Sequence, residues 1–202
     1  MHNLLIQHKK REVDFKFMNS GANDILNEVI LKNGIKLELR RPREEDAGDI
    51  IKYLNIVGGE SDNLLFGKDE VTLTIEQEIE FINSSINAPN TFMLLGIIDN
   101  NIVSLSRISG NDRKRIAHNG ELAISVRKDY WNIGVGSYVI KELLRFVRED
   151  STIRNITLGV KADNFTAIKL YEKFGFEKVG VHKNYFNIDG NFDDEIIMDL
   201  YL

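Results

Sequence analysis

Val126-Arg-Lys-Asp-Tyr-Trp-Asn-Ile-Gly-Val-Gly-Ser137 sets two glycines, Gly134 and Gly136, between an apolar alternating run and an amphipathic one. Upstream, Glu121 to Val126 reads as a strand. Downstream, Ile140, Leu143, Leu144 and Val147 recur at i, i+3, i+4 and i+7, which predicts a helix from about Ser137 to Glu149. A glycine turn feeding a helix leaves free backbone N–H groups pointing at one place. The helix N-terminus carries roughly half a positive charge, so that place suits an anion, above all a phosphate. A tight turn with no ligand would look the same. The dinucleotide fingerprint fails because Val139 stands where its third glycine belongs, and no Gly-Lys-Ser/Thr follows for a P-loop.

Working outward, Ile156 to Val160 is a buried strand. Asn164 to Phe174 is a helix with Ala167, Leu170, Tyr171 and Phe174 on one face, ending at Gly175. Phe176 to Phe186 and Glu195 to Leu202 are strands joined through Asp189-Gly190. Toward the N-terminus, Phe92 to Ile98 and Ile102 to Ile108 are strands joined at Asp99-Asn100-Asn101, and Gly110 to Arg115 is an exposed connection. Thr74 and Gln77 form a capping box for a helix with Ile75, Ile79 and Ile82 on one side. Pro42 opens another helix through three acids suited to a first turn, and Gly58 to Gly67 is a long loop. Glu28 to Leu31 and Ile35 to Arg40 flank an Asn33-Gly34 hairpin signal. The order β, αα, βββ, α, β, α, ββ predicts a mixed sheet with helices on both faces, in one α/β domain. Residues 1–34 read as an N-terminal extension and 35–202 as the domain.

The 202 residues suffice for one buried core, with 43% hydrophobic and 28% charged residues. A net charge of -5 argues against a dedicated nucleic-acid binder. The absence of cysteine excludes disulfides, thiol catalysis and thiolate zinc sites. The four histidines, His2, His8, His118 and His182, show no helical pairing, so no metal site is expected. Leu4 to Ile6 is too short for a signal peptide or a membrane segment, and the expected location is cytoplasmic.

Leu-Ala-Ile-Ser-Val, Tyr-Trp-Asn-Ile-Gly-Val-Gly-Ser and Asn-x-x-Ala-x-x-Leu-Tyr-x-Lys-x-Gly-Phe follow one another between Glu121 and Phe176. In this order they resemble the GNAT superfamily of acyl-CoA-dependent N-acyltransferases, and the resemblance spans roughly residues 35–202. It implies a mostly antiparallel, splayed sheet whose central strands part like a V, with acetyl-CoA as cosubstrate. Pantetheine would pair with the backbone of the strand ending Ile124-Ser125-Val126, and the pyrophosphate would sit on the N–H groups of Asn132, Ile133, Gly134, Val135, Gly136 and Ser137. Trp131 stands where the family usually has Gln or Arg, and Ile133 replaces a frequent basic residue, which leaves the cradle to the backbone. Asn164 would touch the pantetheine arm, and it also fits a helix N-cap.

By the same resemblance, the Tyr171 hydroxyl protonates the departing thiolate; packing alone would also explain an aromatic on that face. An alkylammonium of pKa roughly 10 is only about one part in a thousand neutral at pH 7, a cost of about 4 kcal/mol, so a proton acceptor is needed. Some relatives carry a glutamate on the strand before Asn164, but Thr157-Leu-Gly-Val-Lys161 has none. Glu121 is the leading alternative, with His118 behind it; both also read as solvent-facing strand ends. Glu60 is offered as a substrate-facing acid, and Asp62 and Asp189 as attractors of a cationic amine. The run Asp193-Asp-Glu195 reads as a polar entry to the last strand. The expected partners are an amine-bearing small molecule or a protein N-terminus, with no nucleic acid and no membrane; a homodimer is common among relatives. The sequence ending resembles the branch with ribosomal-protein alanine and polyamine acetyltransferases. Rival readings are a CoA-binding sensor or interaction module that lost transfer, and a nucleotide-binding domain.

Overall fold

Asp99 and Asn100, and again Asp189 and Gly190, take left-handed backbone (φ 47°, 61°, 50° and 84°), so each pair closes a hairpin whose twist matches its strands. These turns order much of the sheet. The computed structural model describes residues 25–202. Eight strands are present: β1 (Ile25–Ile30), β2 (Lys36–Arg40), β3 (Thr91–Ile98), β4 (Asn101–Gly110), β5 (Asn119–Val126), β6 (Asn155–Lys161), β7 (Glu177–Ile188) and β8 (Asn191–Tyr201). The helices are α1 (Ala47–Gly58), α2 (Ile75–Asn87), α3 (Val135–Asp150) and α4 (Phe165–Lys173).

The sheet runs β1-β2-β3-β4-β5-β6-β8-β7, and among the described residues only β5 and β6 pair in parallel. The α/β class, the mostly antiparallel sheet and the helices on both faces are as the sequence predicts. The first hairpin, which the predicted order counts as one strand, supplies both β1 and β2. The described part of the segment before residue 35 is therefore in the sheet; the rest of it, residues 1–24, lies outside the described residues.

Alternation along β3 divides the core. Phe92, Leu94 and Ile98 face α3 and α4, joining Val139, Ile140, Leu143, Leu144 and Val147 of the predicted stripe. Met93, Leu95 and Ile97 face α1 and α2, joining Ile50, Tyr53 and Ile82. All eight β3 residues are buried, because this strand is covered on both faces. The predicted capping box is formed: Thr74 Oγ1 accepts from the Gln77 N–H, and Gln77 Oε1 from the Thr74 N–H. The predicted helix after Pro42 begins as a 3-10 turn, Glu44–Asp46, before α1.

That turn is tied to β2. Arg40 donates two bonds of 2.7 Å to the Asp46 carboxylate, which also accepts from the Arg43 N–H. Burial pushes the Asp46 carboxyl up, but the bonds from Arg40 and Arg43 more than offset this and hold it below its ordinary 3.8. Its stabilising contribution is thus full above that value and lost as pH falls through the lower folded one. Asp46→Asn is expected to cost roughly 2 kcal/mol, or ~4–8 °C of Tm, at pH 7. In thermal melts the gap from wild type should close below about pH 4.

The pairing of β5 with β6 is what shapes the site. It covers Asn119–Glu121 against Asn155–Thr157 and goes no further. At this closed end Ile153, fully buried, fills the space a Cβ on Gly120 would need (2.9 Å). Beyond Glu121 the two strands continue without pairing to each other, so the sheet is splayed at its centre.

Candidate active site

At the open end of the splay, the chain leaves β5 and turns into α3. Glu60, from the loop after α1, clamps the exit: its carboxylate takes the Arg127 Nε–H at 2.8 Å and the Lys128 N–H at 2.7 Å. A 3-10 turn, Lys128–Tyr130, follows. Trp131 Nε1–H then donates to the Val126 carbonyl at 2.7 Å, folding the turn back on the strand end. Asn132 (φ 63°) and Gly134 (φ 109°) are left-handed, and α3 starts at Val135. A side chain at Gly134 would be strained, which is why glycine stands there.

The first internal bond of α3 is Tyr138 N–H to Gly134 O, 3.2 Å. The N–H groups of Val135, Gly136 and Ser137 are therefore the helix's orphan donors. Among the described residues no side chain caps them, and the first turn holds no acid. Gly136 also lets α4 approach: a Cβ there would meet Leu170 Cδ2 at 3.0 Å. The arrangement is an open, positively polarised pocket of main-chain amides.

The free edge of β5 leads away from it. Arg127 N–H bonds to the Val103 carbonyl, so the alternation of an antiparallel ladder turns the N–H and C=O of Leu122, Ile124 and Val126 away from β4 and into the splay. The Val126 carbonyl is taken by Trp131, which leaves this residue to offer its N–H. Ser125 points to the opposite side, where its Oγ meets the Tyr53 hydroxyl at 2.9 Å.

Across the splay stands α4. Asn164 caps it, its Oδ1 accepting from the Ala167 N–H at 3.2 Å. The N-cap reading of Asn164 therefore describes its oxygen, and its amide N–H groups are the part that can address a ligand. Tyr171 is 8% exposed, in the core beside Phe176 (ring centroids 5.8 Å). Its hydroxyl makes no hydrogen bond to the protein among the described residues, and burial pushes the phenol up to about 12.

On the sheet's other face a cleft of about 450 Å³ opens where β5 and β6 begin to part. Glu121, Thr157, Gly159, His182, Tyr185 and Glu195 are among its lining residues. Glu121 is thus on the cleft, on the face opposite the packed side of α4. Glu60 is not a substrate-facing acid: its carboxylate is spent on Arg127 and Lys128. His118 is exposed and outside the cleft lining; its carbonyl anchors Arg154 N–H and Asn155 N–H at 2.7 and 3.1 Å. The acidic run is more than a polar strand entry. Asp193 bonds Lys161 (2.8 Å), Asp194 bonds Lys183 (2.6 Å), and Glu195 Oε2 lies 2.9 Å from His182 Nδ1.

The His182–Glu195 pair escapes sequence reasoning for a definite reason. Counting back from the Asp189-Gly190 turn sets Asn184, not His182, opposite Glu195. A bulge in β7 between His182 and Phe186, with Asn184 left-handed (φ 55°), shifts the register. The Asn184 N–H donates to Asp194 and holds that bulge.

No group of three or more metal-ligating side chains exists among the described residues, and no described helix is long and apolar enough to cross a membrane.

Comparison with known proteins gives a consistent picture. Residues 62–176 match the model of the acetyltransferase (GNAT) family, a stretch that includes β5, the glycine turn and α4. The chain is 32% identical over 110 residues to an L-amino acid N-acetyltransferase of Escherichia coli, covering 54% of this chain and 68% of that protein. A ribosomal protein bS18 alanine N-acetyltransferase of Escherichia coli is 34% identical over 77 residues, 38% of this chain and about half (51%) of that one. Among solved structures, a GNAT-family acetyltransferase from Streptococcus pneumoniae superposes with a TM-score of 0.79 at 30% identity, over 82% of this chain and 99% of that one.

Proposed function

The chain belongs to the acetyltransferase (GNAT) family, and from that premise we propose that it transfers an acetyl group from acetyl-CoA directly to a primary amine, on a small molecule or a protein N-terminus. One observation carries the reading: the uncapped amides of α3 follow directly on the unpaired edge of β5, with α4 packed against α3 at Gly136. The diphosphate sits on the amides around residues 132–137. The pantetheine arm follows Ile124 and Val126, with Asn164 opposite. The thioester carbonyl takes the Val126 N–H, which polarises it for attack, and holding both reactants supplies much of the rate.

The buried Tyr171 phenol gives its proton to sulfur as the C–S bond breaks. Its pKa of about 12 lies above that of an alkyl thiol, about 8.5, but the same burial raises the thiolate's affinity for a proton. Glu121 and Glu195 give the cleft a sign that suits an ammonium acceptor. The acetyltransferase domain is taken as residues 35–202 together with β1, which completes its sheet, and the location as cytoplasmic, where a CoA-dependent transferase of this kind finds its donor.

The test is release of free thiol from acetyl-CoA with free L-amino acids, polyamines, aminoglycosides and alanine-initiated peptides as acceptors. Transfer to at least one class is expected. Tight acetyl-CoA binding with transfer to none would make the chain a binding module instead.

A further inference from the structure

Glu195 lines the cleft from β8, the strand that pairs directly with β6. It is 8% exposed, and its carboxylate lies over Gly159 of β6, so close that a Cβ on Gly159 would collide with Oε1. Gly159 is thus the floor on which a carboxylate from the neighbouring strand rests. It belongs to the Thr157–Lys161 run, where the sequence lacks a glutamate. The groups facing Glu195 are His182 and Tyr185 from β7, Lys161 from β6, and Glu121 across the cleft from β5. Lys161, opposite it in register, spends its ammonium on Asp163 (2.6 Å) and Asp193 (2.8 Å). His182 is the partner that meets Glu195, with Tyr185 stacked on the imidazole at 5.4 Å.

We propose that Glu195 is the catalytic proton acceptor for the incoming amine, with His182 as the residue that positions its carboxylate. The proposal rests on the acetyl-donor reading above. The ammonium of the acceptor gives one proton to Glu195. The freed nitrogen lone pair forms the C–N bond at the thioester carbon, and the C–S bond breaks as the tetrahedral species collapses. Sulfur takes the Tyr171 proton. The second nitrogen proton restores the phenol of Tyr171, and the proton held by Glu195 leaves to solvent through the cleft. Two substrates, R–NH3+ and the thioester, become amide, free thiol and one released proton. Glu121, exposed on the β5 side with its charge felt by Arg107, contributes field rather than the transfer itself.

The experiment compares wild type with Glu195→Gln, using spermidine, free L-amino acids and an alanine-initiated peptide as acceptors. Acetyl-CoA affinity is measured separately by calorimetry. The expected result is a loss of turnover of about 100-fold at pH 7 with donor affinity unchanged. That deficit should shrink as pH rises through the acceptor's own pKa, where solution supplies the neutral amine. His182→Ala should cost about tenfold, and His182→Asn, whose amide reaches the Nδ1 position, should restore most of it. A deficit constant across pH, or an unchanged turnover in Glu195→Gln, would overturn the proposal, whereas a wild type that binds acetyl-CoA and acetylates none of these amines would remove the transfer reading on which it rests. Failure of acetyl-CoA to bind the wild-type protein would instead remove the donor reading beneath it.

Discussion

Tyr171→Phe is expected to lower turnover about 100-fold while acetyl-CoA affinity changes less than twofold, since a positioned general acid typically contributes 10²–10⁴. The variant is a clean one. It removes a hydroxyl that has no protein hydrogen bond among the described residues, and it keeps the ring packed on Phe176. Stability should therefore be unchanged or slightly raised, because no partner is left unsatisfied. A phenol at about 12 stays protonated through the working range, so the wild-type rate should show no alkaline loss from this group below about pH 11. Steady-state kinetics with calorimetry reads all three quantities. An unchanged turnover, with chemistry shown to be rate-limiting, would remove Tyr171 from the mechanism.

Ser137→Glu should do two things of opposite sign. The first turn of α3 holds no acid, so a carboxylate placed there meets the positive end of the helix and should stabilise the fold by about 0.3–1 kcal/mol. The same carboxylate would stand beside the bound diphosphate. At about 5 Å and an intermediate dielectric, repulsion from two phosphate charges is on the order of 3 kcal/mol, or ~100-fold in affinity. A rise in Tm with a loss of acetyl-CoA binding would tie the ligand to this helix end, because misfolding cannot produce both. Unaltered affinity would place the diphosphate elsewhere.

Much of the fold is legible in the sequence because local chemistry and tertiary need agree. Thr74 and Gln77 announce a cap that forms, Asp189-Gly190 a turn that forms, and Ile140, Leu143, Leu144 and Val147 a stripe that packs. The glycine turn is legible for the same reason: Gly134 takes a backbone conformation that strains other residues. What the sequence hides depends on partners distant along the chain. Glu60 looks like a free loop acid until Arg127 and Lys128 are brought to it. Trp131 looks like a departure from a motif until its indole is seen bonded to Val126. Glu195 reads as one charge in an acidic run because two extra residues in β7 decide what it faces.

The most direct test is a crystal structure of the protein with coenzyme A. The diphosphate should lie within hydrogen-bond distance of the Val135, Gly136 and Ser137 N–H groups, with the pantetheine amides paired to Ile124 and Val126 inside the splay. Coenzyme A bound at another surface, or an empty splay at saturating ligand, would contradict the account.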